Sequence, residues 1–115
     1  MSTFDLDLSK FGIHEPSLVL PLVATNMPIA KIEQEINNLD IGVISKIEKM
    51  NDEIWEGFTY VIVHFERWYD NKDAYNGRQL LLDGEIAPIL YHISKVGVEY
   101  YWDARALLPN EQDED

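Results

Sequence analysis

The stretch Phe58-Thr59-Tyr60-Val61-Ile62-Val63-His64-Phe65-Glu66-Arg67-Trp68 decides how this chain folds. It is β-branched or aromatic at most positions and free of Gly and Pro, the composition of a strand on a pleated, half-buried surface. Successive strand side chains point to opposite faces. Val61, Val63 and Phe65 are therefore predicted to face a core, and Phe58, Tyr60, Ile62 and His64 the other side.

Asn51 to Gly57 reads as the turn into this strand, and Ile41 to Met50 as a strand before it whose imperfect alternation predicts a bulge or shifted register. Leu18 to Val23 is a short apolar strand in which Pro21 requires an edge, a bulge or the strand's end. Between them Thr25 and Asn26 can cap a helix. Pro28 suits its first position, and Ile29, Ile32, Ile36 and Leu39 recur at helical spacing, with Lys31, Glu35 and Asn38 outward. On the other side, Asp70 and Asn71 offer caps for a helix over Lys72 to Asp83 that Gly84 ends. Ile86 to Ile93 reads as a fourth strand and Val96 to Trp102 as an appended fifth, before Ala104 to Leu108.

The order β-α-β-β-α-β predicts an α+β, ferredoxin-like sandwich: a four-stranded antiparallel sheet with two helices on one face, plus an extra C-terminal strand. One domain is expected over residues 1–109, made of an N-terminal arm at 1–16, a core at 17–93 and an extension at 94–109. An acidic tail follows at 110–115. The 115 residues suit a single domain able to bury a core without staples. In the arm, Phe4, Leu6, Leu8 and Phe11 are apolar groups able to dock.

Charge narrows the partners. The chain holds 21 acids against 9 bases, a net charge of −12, and residues 1–109 alone still hold 17 acids against the same 9 bases. Nucleic-acid affinity comes largely from Lys and Arg displacing counterions, so this balance disfavours polyanions and anionic membranes alike. The absence of Cys removes disulfides, thiolate metal sites and cysteine nucleophiles. An acidic N-terminus without a following apolar run lacks the features of a secretory signal, and the longest apolar stretch, Leu18 to Ala24, is far short of a spanning helix. The chain reads as a soluble intracellular protein.

Glu56-Gly57-Phe58-Thr59-Tyr60-Val61-Ile62-Val63 resembles the RNA recognition motif octapeptide K/R-G-F/Y-G/A-F-V-x-F/Y, and five of eight positions fit when Tyr60 is taken as the fifth-position aromatic and the free position is counted. Leu18 to Leu22 falls where that family's first-strand motif belongs. Val61 to Trp68, the Leu-Leu-x-Gly-Glu-Ile run and Tyr100-Tyr101-Trp102 further resemble small RNA-recognition-motif-like proteins of giant nucleocytoplasmic DNA viruses. The first resemblance implies stacking of single-stranded RNA bases on Phe58 and Tyr60. The second implies a viral protein placed in host cytoplasm or virion. Two positions depart from the RNA pattern: Glu56 stands where the family places a phosphate-binding cation, and Val19 where it places a stacking aromatic.

The four residues Val19, Phe58, Tyr60 and Ile62 thus form the candidate binding face, for a protein partner or a stacked base. An apolar open face on an acidic body points first to protein contact, with a second copy of the chain in a homodimer or another viral or host protein as partner. Closure of that face by the chain's own Phe4, Phe11 or Trp102 is the other structural possibility. No catalytic residues, metal ligands or cofactors are expected: His14, His64 and His92 lack metal-site spacing, the acids lack a calcium-loop pattern, and no phosphate-binding loop or nucleophile elbow occurs. The reading is a non-enzymatic interaction module. Most of Tyr69, Tyr75, Tyr91, Tyr100, Tyr101 and the three Trp side chains are expected to pack at core or edge, with their polar ends reaching solvent.

Overall fold

A computed structural model of the chain describes residues 11–50 and 56–107, and within them five strands and two helices follow one another. They are β1 (Ser17–Ala24), α1 (Ile29–Asn38), β2 (Gly42–Lys49), β3 (Phe58–Trp68), α2 (Lys72–Leu82), β4 (Ala87–Ile93) and β5 (Glu99–Leu107). The strands make one antiparallel sheet in the order β2-β3-β1-β5-β4. Phe4, Leu6 and Leu8, most of the turn at 51–57 and the tail lie outside the described residues.

The central strand forms as its composition dictates. Thr59, Val61, Val63 and Phe65 are buried, while the alternate positions lie on the other face. The alternation then slips: Val43 pairs with Arg67 and Ile44 with Phe65, leaving Glu66 as an extra residue on β3. That bulge turns Trp68 to the same side as Phe65, their rings 4.7 Å apart, and the Trp68 indole N–H donates to the Pro16 carbonyl. Gly42 starts β2 here because a Cβ would sit 2.7 Å from the Arg67 carbonyl oxygen.

Pro21 sits where the argument for an interruption puts it. The β1 register against β3 shifts between Leu20 and Val23, and its pairing with β5 covers only Ser17 to Val19. A residue without an N–H is tolerated where the ladder is already broken.

Helix α1 lays Ile32 and Ile36 on the sheet, with Ile29 and Leu39 left exposed at its ends. Neither Thr25 nor Asn26 caps it. Pro28 occupies the cap position in extended conformation, and no side chain accepts from the first turn. Helix α2 is capped by Asn71, whose Oδ1 accepts from the Ala74 N–H at 2.7 Å. It buries only Ala74 and Leu81. Arg78 on the same helix donates to the carbonyls of Glu15 and Gly12, both at 2.7 Å, and so ties the N-terminal turn to the body. Burial lowers the Arg78 pKa from its ordinary high value, and the Glu15 carboxylate opposes that shift.

The four-stranded ferredoxin-like arrangement is not what forms. That plan would set the strand after the second helix beside β1. Here β5 takes the place, pairing Ser17 with Leu107, Leu18 with Ala106 and Val19 with Arg105, while β4 is pushed to the sheet's edge. Of the segments read as Val96 to Trp102 and Ala104 to Leu108, Val96 to Val98 belong to the turn before β5, and residues 99–107 form one continuous strand. It places Trp102 and Ala104 in the core under the helices. The physical reason is the tight β4–β5 hairpin. Ser94 N–H donates to the Val98 carbonyl, Ser94 Oγ accepts from Val96 and Val98 N–H, and Gly97 adopts φ 88°. A short loop of this kind closes at little entropic cost, so β4 pairs with its neighbour in sequence rather than with β1.

Candidate interaction surfaces

The sheet has one face beneath the helices and one without them. Register and the period of two gather the four sequence-predicted residues on the helix-free face: Val19 lies directly opposite Ile62, with Tyr60 and Phe58 following along β3. Val19, Tyr60 and Ile62 are half-buried, and Phe58 is 40% exposed. Neither Trp102 nor Phe11 covers this face. Trp102 is buried on the helix side, and Phe11 lines a depression with Tyr69, Tyr75 and Arg78 at the end of β3.

Polar and charged groups border these residues. Ser17, one step before Leu18, meets His64: its Oγ lies 2.9 Å from His64 Nδ1. The other ring nitrogen lies 3.3 Å from Glu48 Oε1, off the line of a hydrogen bond, and Glu48 Oε2 is 2.8 Å from Lys46 Nζ. The hydrogen bond from Lys46, and secondly the contact with His64, hold the Glu48 carboxyl below the usual carboxylate range. Hydroxyl, imidazole and carboxylate thus stand in sequence across β1, β3 and β2. The nearby cavity of about 320 Å³ is walled by Val19, Arg105 and the α2–β4 connection, not by Ser17 or His64. The arrangement is a polar tie across three strands.

Among the described strands, register and alternation place three cations on this face, Lys46 on β2, Arg67 on β3 and Arg105 on β5, and Arg67 lies at the far end of β3 from Phe58 and Tyr60. Glu56 is exposed in the turn before β3. Base stacking on Phe58 and Tyr60 would therefore proceed with little phosphate attraction. Among the described residues no three His, Asp or Glu side chains gather as a metal site requires, and no helix is long and apolar enough to cross a membrane.

A second surface was not singled out residue by residue from the sequence. Residues 99–104 of β5 pair with β4, but the backbone pairing of β5 with β1 spans only Arg105 to Leu107. The hairpin therefore continues as a two-stranded ribbon past the part of the sheet where β5 pairs with β1. Leu90, Ile93, Val96, Val98, Tyr100 and Tyr101 on it are all exposed, Ile93 by 53% and Val96 by 86%. Tyr91 stacks on Trp102 at 4.4 Å and anchors the ribbon's base. Tyr101 Oη donates to Glu99 Oε1 at 2.7 Å, which raises the tyrosine pKa. The sequence signal was the density of apolar residues between Ile89 and Trp102, legible as a surface only once the strand order is known.

No protein-family model, curated protein or solved structure matches this chain. Its class is set by its own architecture: an α+β chain whose five-stranded antiparallel sheet carries two helices. The bare strand edge and apolar ribbon supply the grounds for a functional reading.

Proposed function

We propose that this protein is a non-enzymatic interaction module that forms a homodimer through edge strand β4 and the β4–β5 ribbon. The carrying observation is the ribbon itself. A two-stranded hairpin is marginal in water unless a third strand or a packed face supports it, yet this one exposes six large apolar side chains. Strand β4, Ala-Pro-Ile-Leu-Tyr-His-Ile, carries no Asp, Glu, Lys or Arg. On a body of net charge −12, a strand without acids is where a second copy meets least repulsion. Antiparallel pairing of β4 with its two-fold mate would make the contact isologous and closed. The helix-free face supports the same reading less well, because Lys46, Glu48, His64 and Arg105 border its apolar residues.

Sedimentation velocity over a wide concentration range tests this. A mass that rises from one chain to two, and falls back on Ile93→Lys, is the expected result. A single-chain mass at every concentration would sink it. Trp and Tyr fluorescence on adding mixed single-stranded RNA at low salt should stay unchanged, and a saturable change lost in Tyr60→Ala would favour base stacking instead.

A further inference from the structure

Helix α2 leaves a gap beneath it. A cavity of about 250 Å³ opens between α2, the end of α1 and the sheet, walled by apolar groups that include Leu18, Trp68, Leu81 and Ile89. An engineered apolar cavity of about 150 Å³ takes up a benzene-sized molecule, so this space accommodates a larger ring or a short alkyl chain. Two residues of α2 shape it. Gly77 stands in the helix interior, where glycine is the least favourable residue after proline, and a Cβ added there would meet no atom within 4 Å. Its missing side chain leaves part of the wall open. Asp73, one turn earlier, is the only charged residue in the lining among the described residues. It is exposed and makes no hydrogen bond or ion pair among the described residues.

We propose that this cavity is a binding site for a small hydrophobic amine, with the ring or alkyl part against Leu18, Trp68, Leu81 and Ile89 and the ammonium group at the Asp73 carboxylate. Charge complementarity selects this class of ligand. Among the described residues the one charged side chain in the lining is acidic, and the net charge of −12 raises the local concentration of cations and repels carboxylates of the same shape. Neither the cavity nor its ligand depends on self-association.

Titration of the full-length protein with 2-phenylethylamine, ethylbenzene and 3-phenylpropionate, followed by nuclear magnetic resonance, tests the site. The amine should move the Trp68 indole and the Leu81 and Ile89 methyl resonances, with ethylbenzene binding several-fold more weakly and the carboxylate weakest. Gly77→Leu fills the space and strengthens the helix, so it should raise the melting temperature while weakening amine binding by at least about tenfold. Asp73→Asn should bring the amine down to the affinity of ethylbenzene. Amine shifts that leave Trp68, Leu81 and Ile89 unmoved, or that persist in Gly77→Leu, would overturn the site. Equal affinity for amine and carboxylate would overturn the ligand assignment.

Discussion

The two edges of the sheet are built in opposite ways. Strand β2 carries Lys46, Glu48 and Lys49 and is broken by two register irregularities. Lysines and bulges on an edge are the means by which proteins discourage pairing with another chain. Strand β4, the other edge, has no Asp, Glu, Lys or Arg, and its protective features are Pro88 near its start and one register irregularity between Leu90 and His92. Beyond Pro88 come Leu90 and Ile93, both exposed. One edge is guarded and the other open, on a molecule whose net charge opposes self-association almost everywhere else. The difference shows that guarding an edge is local: it depends on which side chains fall on the last strand, not on the overall charge.

The largest effect on this contrast should come from removing the ribbon's anchor. Trp102 is 1% exposed, and Trp102→Ala should cost about 3–5 kcal/mol of stability by chemical denaturation. A cost under about 1 kcal/mol would mean that β5 does not hold the open edge in place. Next comes association. Ile93→Lys gives up about 1 kcal/mol of burial on each copy, roughly 2 kcal/mol in a two-fold contact and about a 30-fold rise in the dimer dissociation constant. Lys46→Glu on the guarded edge should leave that constant within about twofold, and equal effects at both edges would erase the distinction. Stripping the guard should act more weakly and in the opposite sense. Lys46→Val combined with Glu48→Val is expected to add slow growth beyond the dimer in light scattering, because a second bare edge permits open-ended pairing.

The smallest effect concerns pH. The folded-state pKa of Glu48 lies below its ordinary value of 4.5, so the unfolded chain binds this proton more readily than the folded one. The contribution is therefore present above pH 4.5 and is lost as pH falls through the lower folded value. The Lys46, Glu48 and His64 tie on the guarded side should loosen in that acid range. Glu48→Gln should flatten that part of the stability profile, and an unchanged profile would show that the tie carries no pH dependence.

Much of this contrast was legible in the residues. The burial pattern of β3, the Asn71 cap and the interruption at Pro21 are local consequences of side-chain shape, hydrogen-bonding capacity and a missing N–H. So was the gathering of Val19, Phe58, Tyr60 and Ile62 on one face, since strand alternation needs no tertiary information once β1 and β3 pair. Less legible was β5. Its second half, Asp103-Ala104-Arg105-Ala106-Leu107, has little intrinsic strand preference, and only pairing with β1 and β4 keeps it extended. The Ser17 and His64 contact was equally hidden, because it depends on antiparallel register between distant segments.

By itself, the sequence determined the acidic balance, the strand and helix segments from β1 to β4, and which side of β3 faces the core, because each follows from composition or from short-range periodicity. The tertiary structure decided which strand ends the sheet. Whether β4 or β5 lies beside β1 is a competition between long-range pairings of similar chemistry, settled by the cheap closure of the β4–β5 hairpin and the burial of Trp102 and Ala104. That choice turns a strand without Asp, Glu, Lys or Arg into an exposed edge.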